Sequence, residues 1–297
     1  MGLPLRRDHW QREIARLDPE TDFEQISRIV AQHEFPWDSQ QALSFALFRT
    51  YAVPTIGRLL HDTGEFTESV QKRHDDTAII LETIADRGLE SDEGRAGVRR
   101  MNQMHGSYDI SNDDMRYVLS TFVVAPVRWI DRYGSRRLSE VERLAGVRYY
   151  QRLGRLMGIS DVPATFEEFS DLMDAYERDT YVFDAKARAV ADSTLALFTT
   201  FFPRPLRPLM HRFGIALLDD HLRETFGYRA PAPWFRRVAH ESLRTRGRLM
   251  RWMPARRRPS LLQDSHRVRS YPGGFMIEHL GTFPDARRAA GHDTSAA

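Results

Sequence analysis

Along most of the chain, apolar residues return at three- and four-residue steps, the spacing that gathers them on one face of an α-helix. This periodicity predicts helices near 22–33, 38–50, 66–87, 91–108, 112–131, 139–157, 165–181, 184–200, 206–224 and 234–252. Ser111-x-x-Asp114, Ser139-x-x-Glu142 and Thr165-x-x-Glu168 have capping-box spacing. In that motif a hydroxyl accepts a free N–H of the first turn and an acid reaches back. Asp38-x-x-Gln41 is a looser relative, and Gly88 and Gly158 mark helix stops. The runs richest in β-branched and aromatic residues, Phe122–Val127 and Tyr181–Phe183, lie inside or beside helical periodicity. Only Phe275–Leu280 suggests local strand pairing. The expectation is an all-α fold in a single helical domain. Residues 25–255 would form it, 1–24 a leading extension, and 256–297 a basic extension ending in a disordered tail.

Composition narrows the functional classes. With 41% hydrophobic residues, including 17 Phe, the chain has enough apolar surface to offset the entropy of folding. Cysteine is absent, which excludes disulfides, thiolate-held metals and a cysteine nucleophile. No apolar run approaches the ~20 residues needed to span a bilayer; Thr121–Val127 and Leu195–Phe202 are too short, and the first residues show no signal-peptide core. A cytoplasmic location is therefore expected, with peripheral membrane attachment as an option. The net charge is only +2, but nine arginines against Glu241 alone crowd residues 236–258. Such a stretch reads as a solvated helix face or as a contact for an anionic membrane through 234–258. Phe235, Val238, Ser242, Leu249 and Met253 would form its apolar side. No basic helix interleaved with aromatics suits nucleic acid, so that partner class is not expected.

The informative positions are polar groups on apolar stripes. In 66–87, Phe66, Val70, Arg73, Thr77, Ile80 and Ile84 share one face. A buried guanidinium costs several kcal/mol unless paired. Arg73 therefore needs either a structural carboxylate or a polar ligand that it and Thr77 face together. On the next helix, Val98, Met101, His105 and Tyr108 form a stripe with Met104 beside it. His105 is either a satisfied core histidine or a ligand on a soft surface that suits a flat apolar cofactor. His61-Asp62 and His74-Asp75-Asp76 have metal-ligand composition but lack matching second clusters. Elbow, phosphate-loop and HExxH motifs are absent.

The stretch from Lys72 to Ile159 (KRHDDTAIILETIADRG, RRMNQMHGSYDISNDDMRYVL and the segment around RYGSRRLSEVERLAGVRYYQRLGRLMGI) resembles the MpaB-type oxygenases and the related latex clearing protein, or rubber oxygenase. LLDDHLRETFGYRAPAPWF resembles the end of the same domain. The resemblance implies a globin-like helical core holding haem b, with His105 as the iron ligand and Met101 and Met104 beside the cofactor. It also implies that Arg73 and Thr77 lie on the distal side, facing oxygen. The rubber-cleaving branch has a Lys just before that Thr, where this chain has Asp76. That departure favours the MpaB-like branch, which cleaves an isoprenoid side chain oxidatively. Asp76, or Asp75, would then assist proton transfer. The function implied is a haem-dependent oxygenase that uses O2 to cleave a C=C bond of an apolar, isoprenoid-like substrate. The alternative is a helical carrier or sensor that binds haem or an apolar ligand without turnover.

Overall fold

The protein, seen in a computed structural model that describes residues 5–265 and 267–281, is built from helices throughout. The chain opens with α1 (His9–Ile14) and α2 (Phe23–Ile29), and α2 runs on into a π-helical turn, Val30–Glu34. Next come α3 (Pro36–Thr50), α4 (Pro54–Asp62), α5 (Glu65–Glu68), α6 (Val70–Arg87) and α7 (Asp92–His105). They are followed by α8 (Asn112–Tyr133), α9 (Glu140–Leu156), α10 (Phe166–Thr180) and α11 (Ala185–Thr199). The series closes with α12 (Arg207–Leu217), α13 (Asp220–Thr225) and α14 (Pro233–Met250). Among the described residues no strand forms; one antiparallel bridge joins Leu5 to Ala255. The tail expected to be disordered, 286–297, lies outside the described residues.

The capping signals act as the spacing requires. Ser111, Ser139 and Thr165 each accept the N–H three residues on, and Ser139 with Glu142 completes the reciprocal box. The helix expected at 66–87 is broken at Ser69, where the backbone leaves helical geometry and separates α5 from α6. The one expected at 206–224 is broken at Leu218, because Asp219 turns to cap α13 through the Leu222 N–H. Asp38 is no cap: α3 starts at Pro36, and the buried Asp38 carboxylate is paired with Arg246 at 2.8 Å. The short α4 was not anticipated. It starts on Pro54 and presses Gly57 onto α11, where an added Cβ would lie 2.5 Å from that of Ala187. Phe275–Leu280 is not a strand; Ile277–His279 is a 3₁₀ turn whose Ile277 and Leu280 enter the core.

α8 forms the axis, packed by α3, α9, α10 and α14, and its buried residues occur on every side. α6 and α7 pack on each other at one flank, while α4, α5 and α11 close the neighbouring side. The segment after α14 does not trail away. Residues 260–265 and 267–281 lie as a strap along α6 and α7: the Leu262 and Gln263 N–H groups donate to Glu82, and those of Arg269 and Ser270 donate to Asp75.

Candidate active site: an apolar cavity between alpha-6 and alpha-7

The two faces of α6 have different neighbours, and the cavity lies on one of them. Val70, Arg73, Thr77, Ile80 and Ile84 fall within one third of a helical turn of each other, and all border a cavity of about 640 Å³. Met101, Met104 and His105 reach the same cavity from α7, and Tyr108 reaches it from the turn that follows. The sequence-predicted set of Arg73, Thr77, Met101, Met104 and His105 is thus brought together. Such a volume lies within the range of small-molecule and cofactor sites, about 300–1,000 Å³. Residues of α3, α8, α11 and α12 complete the walls, mostly with apolar side chains.

Two polar groups in this wall, Arg73 and His105, are incompletely partnered. The Arg73 guanidinium donates to Thr77 Oγ1 and sits 5.4 Å from the centre of the Phe66 ring. It has no carboxylate partner among the described residues, so a structural salt bridge does not account for it. His105 Nδ1 is buried with no hydrogen-bond partner. Burial, and then the nearby Arg73 guanidinium, pull the His105 imidazole down to about 4, so it stays neutral at physiological pH with a lone pair available. Burial also pushes the Tyr51 phenol of the cavity wall up to about 12. Thr194 of α11 adds a buried hydroxyl to the same wall, beside that phenol.

Asp76 is placed differently from its expected role. Its carboxylate is fully buried, receives Lys72 Nζ at 2.7 Å and the Tyr271 hydroxyl, and does not border the cavity. Asp75 faces the strap, accepting the Arg269 and Ser270 N–H groups, the Ser270 hydroxyl and Gln71. Burial alone would raise its carboxyl, but His74 and these donors outweigh it and hold Asp75 at about 2. The structure gives both acids a place in the scaffold. His61 pairs with Asp62, which is itself bridged by Lys186, and no cluster of three metal-ligating side chains occurs among the described residues.

Sequence reasoning did not find Tyr51, Thr194 or Arg267 in the wall. Thr194 had a readable signal, a hydroxyl between the buried Val190, Ala191 and Leu195. Arg267 had none, since its position is set by the strap. On α14 the predicted apolar face is corrected. Phe235 turns inward with Ala239, Leu243 and Gly247, whereas Trp234, Val238, Leu249 and the following Trp252 form an exposed stripe. Gly247 is required there, because a Cβ would come within 2.3 Å of the Tyr133 carbonyl oxygen.

A largely helical shell thus surrounds a mostly apolar cavity with a neutral imidazole and incompletely paired donors in its wall. The chain belongs to the family described as ER-bound oxygenase mpaB/B'/rubber oxygenase, catalytic domain, whose pattern matches residues 39–255. It is 33% identical over 246 residues to the ER-bound oxygenase mpaB' of Penicillium brevicompactum, covering 77% of this chain and 58% of that protein. It is also 33% identical over 236 residues to the ER-bound oxygenase mpaB of Penicillium roqueforti (strain FM164), covering 73% of this chain and 79% of that protein. Among the described residues, no helix is long and apolar enough to cross a membrane.

Proposed function

We propose that the protein is a haem b-dependent oxygenase that uses O2 to cleave a C=C bond in an apolar, isoprenoid-like substrate. The observation that carries this reading is His105: a neutral, half-buried imidazole whose buried Nδ1 has no partner, beside a cavity that Arg73 and Thr77 also border. The residues fit the group. A haem needs one neutral imidazole, soft apolar side chains against its faces and room for a planar ring, and His105, Met101, Met104 and the cavity supply these. The cofactor, when bound, supplies the redox-active iron that activates O2.

This chain's own side chains do the rest. His105 serves as iron ligand, and the repulsive field of Arg73 helps keep its imidazole unprotonated. Thr77 anchors the Arg73 guanidinium, while its own hydroxyl donates to the Arg73 carbonyl at 3.0 Å. The remaining guanidinium donors stabilise negative charge that develops on oxygen within a low-dielectric space, where such hydrogen bonds are strong. The apolar walls hold the alkene and exclude water. Both atoms of O2 end in the two carbonyl products, so no external reductant is consumed.

The ER-bound relatives and the outer stripe of α14 support attachment to an anionic membrane surface, with Trp234, Val238, Leu249 and Trp252 against it and Arg237, Arg244 and Arg248 alongside. The test of the function is oxygen uptake by haem-replete protein given an unsaturated isoprenoid. Uptake matched by carbonyl products is expected. Haem binding with no substrate-dependent uptake would favour the carrier reading.

A further inference from the structure

The strap carries Arg267 into the cavity wall from outside the family-matched region, which ends at residue 255. Its placement is enforced at several points. Gln71 donates to the Arg267 carbonyl at 2.9 Å, Asp75 takes the N–H groups of Arg269 and Ser270, and Glu82 holds the strap further along α6. Fixed in this way, the Arg267 guanidinium lies 5.5 Å from the centre of the Phe201 ring, itself a wall residue beside His74. It is half-buried, has no carboxylate partner among the described residues, and desolvation holds it below the usual arginine range. The acids on the adjoining turn of α6 are committed elsewhere: Asp75 to the strap backbone, and Asp76 to Lys72 and Tyr271. A guanidinium stays charged even when desolvated, and an aromatic face covers only its plane, leaving the forked N–H edge free.

We infer that Arg267 forms a carboxylate-binding subsite in the cavity wall, receiving the acid group of a ligand whose apolar body fills the cavity. The inference rests on the reading of this cavity as the ligand site, not on the identity of the cofactor. Two sources share the chemistry: the head of an amphiphilic isoprenoid acid, or a haem propionate. An Arg fork matches a carboxylate with two parallel N–H···O bonds in either case.

The test uses the full chain and four probes, farnesoic acid against farnesol and haem against haem dimethyl ester, followed by quenching of tryptophan fluorescence. Wild-type protein should prefer the free acid of at least one pair by roughly tenfold to a hundredfold, the range of a charge-assisted hydrogen bond. Arg267→Gln should erase that preference, leave the neutral partner's affinity unchanged and keep the melting temperature. Arg95→Gln should change nothing, because Arg95 is exposed, pairs with Glu90 and lies outside the cavity wall. Loss confined to the farnesoic acid pair identifies a substrate headgroup; loss confined to the haem pair identifies a propionate. If Arg267→Gln does not fold, Arg267→Lys keeps the charge without the fork and should reduce the preference several-fold. No acid preference in wild-type protein, a preference that survives Arg267→Gln, or one that Arg267→Lys leaves undiminished, overturns the subsite. Failure of the haem reading would show separately, as haem whose Soret band stays that of free haem while the farnesoic acid preference still depends on Arg267.

Discussion

The two faces of α6 bury polar side chains in opposite ways. On the strap side, away from the cavity, Asp75 accepts hydrogen bonds from the strap's backbone, and Asp76 is shared by Lys72 and Tyr271. On the cavity side, Arg73 reaches no carboxylate among the described residues, and His105 of the facing helix has a buried nitrogen without a partner. An unpaired polar group in a low-dielectric interior is costly, so a fold retains one where something else completes it. A complete partner set marks scaffold; an incomplete one beside a cavity marks a ligand site.

Breaking the satisfied face should have the largest effect on stability. Asp75→Ala leaves the Arg269 and Ser270 N–H groups unpaired and should destabilise the protein by about 1–3 kcal/mol for each buried donor left without a partner. Thermal melting would register this as a drop of several degrees. The pH dependence has a defined sign. Asp75 is held at about 2, below its usual 3.8, so its contribution is full above pH 3.8 and is lost as pH falls towards 2. Asp75→Asn should flatten that part of the acid-unfolding curve. An unchanged curve would mean that the strap contacts do not contribute to stability.

Substitution on the incomplete face should spare stability and remove function. Arg73→Ala should melt within a few degrees of wild-type protein and retain haem, yet lose substrate-dependent oxygen uptake by about ten- to a hundredfold, the worth of a charge-assisted hydrogen bond. Unfolding of this variant, or full activity, would place Arg73 on the scaffold side of the comparison. Thr77→Val removes the anchor of the guanidinium, not the charge, and should cost several-fold less. The smallest effect concerns α14. Trp252, 88% exposed, leads its outer stripe, and Trp252→Ser with Leu249→Ser should halve sedimentation with anionic vesicles or better. Equal pelleting on anionic and neutral vesicles would remove the membrane contact.

What the sequence disclosed follows the range of the physics involved. Caps and stops are local, so Ser111, Ser139, Thr165 and Gly88 could be read directly. The stripe of Arg73, Thr77 and the apolar residues of α6 was legible because periodicity alone fixes a face. Periodicity also carried prediction across Ser69 and Leu218, where tertiary packing and the Asp219 cap break the helix. The His74-Asp75-Asp76 run advertised chemistry but could not show which face a distant strap would cover. Arg267 was invisible for the same reason: its place is decided by bonds to Gln71, Asp75 and Glu82, about two hundred residues earlier in the chain.

The central claim is that His105 completes its partner set by ligating haem iron. The most direct measurement is a haem titration of wild-type and His105→Ala proteins, followed in the Soret region. Wild-type protein should give a sharp, stoichiometric Soret band, and His105→Ala, folded by circular dichroism, should leave the haem loosely held with a shifted, weakened band. An identical titration for the two proteins, or a band that stays that of free haem in both, would contradict the assignment.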